Sequence, residues 1–152
     1  MDNKPKIESK PQQAAMVIRT RCAVGDLPAV LGEGYDKVLT YIQSAGKYPS
    51  NPPFVAYYNL DMQHLDIELG FPLAEPLPES GDIHPVIYPA GDYASILYIG
   101  AYDQCAGAYE ELGRYVQVQG REPTGVAFEY YLNDPSEPPF EEPQTLIVYP
   151  LK

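Results

Sequence analysis

The sequence contains no tryptophan, only two cysteines and two histidines, and about half as many basic as acidic residues. Two cysteines are too few for a disulfide scaffold, and neither they nor His64 and His84 stand at a spacing typical of metal ligands. No stretch approaches the about 18 consecutive apolar residues of a membrane span, and no basic segment followed by an apolar one indicates secretion. We therefore expect no metal, no membrane and a cytoplasmic location.

The formal net charge is -11, from 21 acidic and 10 basic residues. Such a surface repels phosphate backbones, and no segment concentrates lysine and arginine, so the sequence does not predict direct binding of nucleic acid. An acidic field favours cationic ligands, although most of this charge is accounted for by the need to keep a small protein in solution.

Sequence motifs of enzymes are also missing. There is no glycine loop of the Walker or Rossmann type, and no serine or cysteine stands in a local motif typical of nucleophilic catalysis. We therefore expect no cofactor and no catalytic residue of these kinds. The composition is unusual instead in its 14 tyrosines, whose flat apolar faces and polar tips suit half-wet clefts and interfaces.

Hydrophobic periodicity divides the chain of 152 residues into short strands and two amphipathic helices. The first 12 residues are polar and twice interrupted by proline, which predicts a flexible tail. One helix is expected from Asp26 to near Gly46 and the other from Tyr102 to Gly120. Strands are predicted at residues 13–23, 54–59, 65–71, 83–88, 93–100, 125–133 and 145–151.

The order of these elements repeats. Residues 13–74 and 82–152 each read as strand, helix, strand, strand, and the helical stripes align when Tyr35 is set beside Tyr102. The sequence therefore predicts one α+β domain at residues 13–152, made of a duplicated strand-helix-strand-strand module. We expect a pseudo-twofold antiparallel sheet with two helices on one face and a central ligand cleft.

The segment at residues 128–135 (Phe-Glu-Tyr-Tyr-Leu-Asn-Asp-Pro) resembles the segment at residues 54–61, with Ala56 in the place of Glu129. Side chains alternate along a strand, so Glu129 and Tyr131 point to one face. A buried carboxylate is costly unless it is paired, and a cationic ligand among tyrosines would pair it. The alternative is a carboxylate held by tyrosine hydroxyls or placed at a sheet edge.

Four stretches resemble the GyrI-like (gyrase-inhibitor-like) small-molecule-binding domains, which also serve as effector-binding domains of MerR-type and AraC-type multidrug regulators of bacteria. They cover much of residues 13–151 in order. They are residues 66–73 (Asp-Ile-Glu-Leu-Gly-Phe-Pro-Leu), 89–94 (Pro-Ala-Gly-Asp-Tyr-Ala), 98–103 (Tyr-Ile-Gly-Ala-Tyr-Asp) and 128–135.

The resemblance implies that Glu129 matches the family's glutamate on the penultimate strand, which pairs with lipophilic cations in an aromatic pocket. The chain has Tyr98, Ala101 and Phe128 where many members have His, Pro and Trp, and these differences bear on the identity of the ligand. No helix-turn-helix segment precedes residue 13, so we expect a stand-alone member. The ligand-binding residues expected from the repeat and the resemblance are Glu129, Tyr131, Tyr58, Tyr98, Tyr102 and Tyr35.

Three functions follow as hypotheses. The leading one is a binding protein for lipophilic, cationic molecules of the multidrug type, with an aromatic cation as partner. The second is a hydrolase of electrophilic, cyclopropane-type natural products, because some GyrI-like proteins have that activity and Glu129 would direct a water there. The third is a role in protein interaction, such as modulation of gyrase.

Overall fold

The computed structural model describes residues 4–152, which form two compact units. The first unit is Pro11–Ala90, and the second comprises the N-terminal residues through Lys10 together with Gly91–Lys152. Eight strands and two α-helices follow one another along the chain. They are β1 (Lys6–Lys10), β2 (Gln13–Cys22), α1 (Leu27–Ser44), β3 (Phe54–Tyr57), β4 (Leu65–Leu73), β5 (His84–Tyr88), β6 (Gly91–Ile99), α2 (Ala106–Val118), β7 (Ala127–Tyr131) and β8 (Gln144–Pro150).

The strands of each unit pair antiparallel. In the first unit they lie in the order β3, β4, β2, β5, and in the second in the order β7, β8, β6, β1. One helix packs on the strands of each unit, α1 on β2 and β4, and α2 on β6. The predicted α+β class, with antiparallel strands and two helices, is therefore confirmed.

The structure corrects the prediction for the N-terminal residues. A flexible tail was expected over residues 1–12, but Lys6–Lys10 form strand β1, which pairs with β6 from Lys6 opposite Ser95 to Lys10 opposite Gly91. The alternation of charged Lys6, Glu8 and Lys10 is compatible with an exposed strand and gives no apolar signal, which is why periodicity missed it. The first three residues of the predicted tail lie outside the described residues.

The two helices end in the same way, and this sets their correspondence. Each is followed by a glycine with positive φ, 74° at Gly46 and 70° at Gly120, a backbone region that favours glycine. After these glycines, the N–H groups of Lys47 and Arg121 donate to the carbonyls of Ile42 and Val116. Counting back from the matched ends sets Tyr35 beside Tyr109.

Counted from the helix ends, the predicted pairing of Tyr35 with Tyr102 is displaced by seven residues. Tyr102 precedes α2 altogether, in a short 3-10 turn. A shift of two helical turns keeps the same face of a helix, so the spacing of apolar residues alone does not separate the two alignments. The matching ends of the two helices distinguish the two alignments, because only the one that sets Tyr35 beside Tyr109 also sets Gly46 beside Gly120.

The β3 and β7 strands also end alike. Asn59 donates from its side chain to the carbonyl of His64 and accepts from the N–H of Asp66, and Asn133 makes the same two contacts with Glu142 and Gln144. Matching these asparagines sets Val55, not Ala56, beside Glu129.

Tyr57, not Tyr58, then corresponds to Tyr131. The sequence comparison aligned two similar Tyr-Tyr pairs, and a slip of one residue exchanges the faces of a strand. Counted from the asparagine contacts, the predicted equivalences of Ala56 with Glu129 and of Tyr58 with Tyr131 are each displaced by one residue.

Neither helix has the length and hydropathy of a membrane span, as judged over the part of the chain that the structure describes.

Within the first unit the helix lies close against the sheet. A Cβ atom on Gly34 of α1 would stand 2.4 Å from Cδ1 of Leu69 in β4, so the absence of a side chain permits this close approach. We call the side of each unit's strands against its helix the helix-covered face.

Candidate functional site

Glu129 lies on the helix-covered face of the second unit. The core of this unit joins Ile96 of β6 and Ile147 of β8 to Leu112 and Val116 of α2, so these two isoleucines face the helix. Glu129 is directly opposite Ile147 in the β7–β8 ladder, and residues opposite one another share a face. The register thus places a half-buried carboxylate beside the apolar packing of α2.

Two tyrosine hydroxyls donate to the Glu129 carboxylate. Tyr131, two residues later on the same strand, donates to Oε1 at 2.9 Å, and Tyr109 on α2 donates to Oε2 in a short hydrogen bond. We call these three residues the Glu129 cluster. Both carboxylate oxygens therefore have a donor, one from the strand and one from the helix, as in the predicted alternative of a carboxylate held by tyrosine hydroxyls.

Tyr102 extends the Glu129 cluster towards solvent. Its ring meets that of Tyr131 edge-on, with centroids 5.5 Å apart and planes at 78°, a favourable aromatic geometry. The side chain is 48% exposed, and partial burial, followed by the nearby Asp134 carboxylate, raises the pKa of its hydroxyl. Tyr102 therefore has one edge on the cluster and one in water.

Tyr98 and Thr145 continue the same face across the strands. In the ladders of β8, Thr145 stands opposite both Tyr131 and Tyr98. The Tyr98 hydroxyl donates to the carbonyl of Ala101 at 2.8 Å. Tyr131, Thr145 and Tyr98 thus form one row beside the row of Glu129 and Ile147.

Cys105 lies next to this site, just before α2, and packs partly buried against the core of the second unit. Burial and then the charge of Glu129 raise the pKa of its thiol. A thiol held protonated is a poor nucleophile. Cys105 therefore serves in this environment as a small, partly buried apolar side chain.

The first unit contains a second carboxylate held by tyrosines, which the sequence analysis did not identify. Glu68 on β4 is only 7% exposed and accepts hydrogen bonds at its Oε1 from Tyr58 at 2.9 Å and from Tyr88 at 2.5 Å. Leu69, the next residue on β4, faces α1, and successive side chains of a strand point to opposite faces, so Glu68 lies on the face away from α1. Ala56 and Arg19, which stand opposite Glu68 in the two ladders, lie on that face too.

Arg19 supplies the cation of this second group. Its guanidinium carbon lies 3.9 Å from the centre of the Tyr58 ring, and its nitrogens donate to both oxygens of Asp66 at 2.6 and 2.9 Å. One nitrogen is 3.9 Å from Oε2 of Glu68. We call Glu68, Tyr58, Tyr88 and Arg19 the Glu68 cluster; the chain's own arginine already occupies the position of a cation there.

Of the six residues expected to bind ligand, the structure thus groups four in the second unit: Glu129, Tyr131 and Tyr102 in contact, and Tyr98 on the same face. The other two belong to the first unit. Tyr58 is part of the Glu68 cluster, which raises its pKa through burial and the Glu68 charge. Tyr35 packs edge-on against Phe71, with ring centroids 5.6 Å apart.

The sequence analysis did not single out Tyr109 or Glu68. The glycines that follow the two helices, Gly46 and Gly120, set Tyr109 beside Tyr35 and are the signal that could have marked Tyr109 as a candidate. Glu68 shares a face of β4 with the more exposed Asp66, so the local pattern does not mark it as buried. The hydrogen bonds from Tyr58 and Tyr88 that accompany its burial come from other strands or loops, and a local pattern does not show them.

A shallow cavity of about 260 Å³ lies in the first unit between α1 and the strands. Ile18, Leu69 and Val30 are among the residues that line it, and an ion pair of 2.9 Å joins Lys37 and Asp82 at its edge. None of the six predicted ligand residues lines this cavity. Within residues 4–152, no group of three or more His, Cys, Asp or Glu side chains is arranged to hold a metal.

Comparison with protein families decides the relationship of the chain. The model of the GyrI-like small-molecule-binding domain matches residues 3–152. The chain belongs to this family. The resemblance drawn from the four sequence stretches is thereby confirmed, and the chain is a GyrI-like small-molecule-binding domain. Comparison with curated protein sequences finds no significant match.

Solved structures of several proteins share the fold. EcmrR in a complex with DNA has a TM-score of 0.83 at 17% identity, over 98% of this chain and 57% of that one; its C-terminal domain alone has a TM-score of 0.74 at 18% identity, over 100% and 99%. This GyrI-like chain therefore spans little more than half of the EcmrR chain in that complex.

Two further neighbours bear on ligands and chemistry. SAV2435 bound to tetraphenylphosphonium has a TM-score of 0.65 at 15% identity, over 98% of this chain and 94% of that one. A hydrolase encoded by lin2189 from Listeria innocua has a TM-score of 0.70 at 14% identity, over 99% and 93%. Identities this low establish the shared fold and no more.

Proposed function

We propose that this GyrI-like domain binds lipophilic cations at the Glu129 cluster. Glu129 is the charge partner, Tyr131 and Tyr102 are aromatic walls, and Tyr98 closes the same face. The observation that carries the proposal is the half-buried Glu129 carboxylate with a tyrosine hydroxyl on each oxygen, beside an aromatic pair that reaches solvent. Tyr58 and Tyr35, in the first unit, remain predictions of the sequence analysis.

The chemistry of the Glu129 cluster favours cations without strong hydrogen-bond donors. Both carboxylate oxygens already accept from Tyr109 and Tyr131, so an ammonium or guanidinium group would compete with these hydroxyls. A phosphonium or quaternary ammonium ion needs no acceptor and is attracted by the charge alone. Each well-placed aromatic face adds about 0.5 to 2 kcal/mol, depending on desolvation.

The family and one neighbour support the proposal. Members of the family are small-molecule-binding domains, and SAV2435, which shares this fold, binds the tetraphenylphosphonium cation. The acidic composition of the chain, with a net charge of -11, adds a long-range field that attracts cations. The cation bound by SAV2435 and the acidic composition of this chain both favour a positive charge on the ligand.

Calorimetric titration of tetraphenylphosphonium into wild type and Glu129→Gln tests the proposal. Gln keeps the size and one acceptor oxygen, so the variant removes the charge with little change in shape. We expect affinity to fall at least about tenfold, or 1.4 kcal/mol. Neutral triphenylphosphine oxide should bind both proteins alike, and Glu137→Gln, in the exposed loop after β7, should behave as wild type. Equal affinity of wild type and Glu129→Gln for the cation would refute the charge-pairing role.

The duplication predicted from the sequence is a second proposal, about the origin of the two units. We infer that the two units descend from one strand-helix-strand-strand module, supported by the matched helix ends at Gly46 and Gly120 and the matched contacts of Asn59 and Asn133. Comparison of related sequences checks this inference. The first and second halves of those sequences should align to each other, with the two glycines and the two asparagines in register, better than shuffled halves do.

Hydrolysis is a second candidate function, and the lin2189 hydrolase is the observation that favours it. Glu129, with its hydroxyl neighbours, would act as general base and take a proton from a water whose oxygen bonds to a cyclopropane carbon. A carbon–carbon bond of the ring breaks in the same step, its electron pair passes to the electron-withdrawing group conjugated with the ring, and that group then takes up the proton from Glu129, so that one water is added in all. The test is incubation of the protein with a cyclopropane-containing alkylating compound, followed by mass analysis for the addition of one water. Turnover should vanish in Glu129→Gln while binding persists, and recovery of unchanged compound from wild type would reject this candidate.

A further inference from the structure

Thr145 has a buried hydroxyl that is not satisfied within the part of the chain that the structure describes. The residue is 2% exposed, and its Oγ1 atom has no hydrogen-bond partner among residues 4–152. Buried polar side chains usually have a partner, because leaving a donor or acceptor unpaired away from water costs free energy. An exception next to a candidate site therefore calls for an explanation.

The strand register places this hydroxyl within the face of the Glu129 cluster. Thr145 is directly opposite Tyr131 on one side and Tyr98 on the other. Glu129 is opposite Ile147, so Thr145 and Glu129 are diagonal neighbours across the β7–β8 ladder. Residues in this diagonal relation lie about 7 to 8 Å apart along the sheet, which is within the length of one aromatic ligand.

We propose that Thr145 is a specificity-determining residue whose hydroxyl donates a hydrogen bond to an oxygen acceptor on the ligand. This inference rests on the proposed function, since it places the cationic centre of the ligand against Glu129. The ligand class is then an aromatic cation that carries an ether, phenol or carbonyl oxygen on a ring. The rings of Tyr131 and Tyr98, on either side of Thr145, form the walls between which the oxygenated ring lies.

Selectivity of this kind needs a polar group in an apolar wall. Aromatic walls separate ligands of similar shape only weakly, whereas a buried hydroxyl that is unpaired among the described residues of the free protein gains a hydrogen bond only from a ligand that carries an acceptor. Tyr109 and Tyr131 already donate to Glu129, and Tyr98 to a backbone carbonyl. Among the polar side chains described in this row, Thr145 is the one with a free donor.

The experiment compares tetraphenylphosphonium with triphenylphosphonium ions that carry a methoxy group at the 3- or 4-position of the fourth ring. Affinities are measured for wild type and Thr145→Val, which replaces the hydroxyl by a methyl group of similar size. In wild type we expect at least one methoxy ion to bind about tenfold more tightly than tetraphenylphosphonium. In Thr145→Val that preference should disappear, while affinity for tetraphenylphosphonium stays within about twofold.

Thr20→Val is the matched control, because Thr20 is a strand threonine of the first unit and should leave the preference intact. The urea midpoints of unfolding of wild type and Thr145→Val give a second, independent test. An unpartnered hydroxyl predicts that Thr145→Val has the midpoint of wild type or a higher one, so a clearly lower midpoint would overturn the inference. The same preference in wild type and Thr145→Val, or no preference in wild type, would also overturn it. Failure of the charge pairing would appear separately, as equal binding of tetraphenylphosphonium by wild type and Glu129→Gln.

Discussion

The hydroxyl of Tyr131 donates a hydrogen bond of 2.9 Å to Oε1 of Glu129, two residues earlier on strand β7. Residues two apart on a strand share a face, so this contact is built into a single strand. The contact of Tyr109 with Oε2 is different, because it joins helix α2 to that strand. Glu129 therefore links the helix and the sheet of the second unit.

Replacement of Tyr109 by Phe should weaken this link. The change removes one hydroxyl from a half-buried carboxylate and keeps the ring, and hydrogen bonds to charged groups contribute about 1.5 to 3 kcal/mol when buried. We expect the free energy of unfolding in urea to fall by about 1 to 2 kcal/mol.

Tyr115→Phe on the same helix is the control. The structure gives the Tyr115 hydroxyl no hydrogen bond among the described residues, so its loss should change stability by less than about 0.5 kcal/mol. If the two variants proved equally stable, the Tyr109 contact would contribute nothing.

The contact between Asp66 and Arg19 predicts a pH dependence of stability. The guanidinium of Arg19 donates to the Asp66 carboxylate and, with the charge of Arg21, holds the pKa of that carboxyl below its usual value of 3.8. A pKa lowered by folding means that the stabilisation is fully present above the unfolded pKa. It is lost as the pH falls through the folded pKa.

Urea unfolding of wild type and Asp66→Asn between pH 7 and pH 2.5 measures this contribution. Wild type should be the more stable of the two by a constant amount from pH 7 to about pH 5, and the difference should shrink below about pH 4. Asp103→Asn should show no such trend, because Asp103 has no ion pair within residues 4–152. A difference that persists undiminished at pH 2.5 would contradict the assignment.

Gly70 and Gly113 make opposite predictions for the same substitution. A Cβ atom on Gly70 of β4 would stand 1.9 Å from the carbonyl oxygen of Met16 on the paired strand, whereas one on Gly113 of α2 meets nothing within 4 Å. The obstacle at Gly70 is backbone, so it does not move aside. We expect Gly70→Ala to lose more than about 3 kcal/mol of stability or to fail to fold.

Gly113→Ala should instead gain about 0.5 to 1 kcal/mol, because alanine loses less backbone entropy than glycine inside a helix. Urea unfolding followed by circular dichroism measures both variants. A Gly70→Ala protein within about 0.5 kcal/mol of wild type would show that β2 and β4 do not approach as closely as described.

The periodic signals of the sequence predicted most elements to within a few residues. The apolar stripe of α1, the glycines after both helices and the alternation in β4 are local patterns, and local patterns report which side of an element is buried. Strand β1 gave no such pattern, because its five residues are charged or exposed at most positions. The family was also recognisable, since its motifs are short stretches with fixed order along the chain.

The sequence by itself thus determined the α+β class and the family, and it singled out Glu129 as a candidate because its carboxylate stands among tyrosines on a short strand. Only the tertiary structure decided what Glu129 contacts. The hydroxyl of Tyr109 reaches it because α2 packs on β6 and β8, and Thr145 joins its face because β8 pairs with β7 in one particular register. Tyr109 and Glu129 are 20 positions apart and Tyr131 and Thr145 are 14 apart, and their contacts depend on helix phase and strand register. A shift of seven residues leaves a helical stripe unchanged, and two similar Tyr-Tyr pairs can be aligned with a slip of one residue, so a hydrophobic pattern predicts the elements of this site and not their partners.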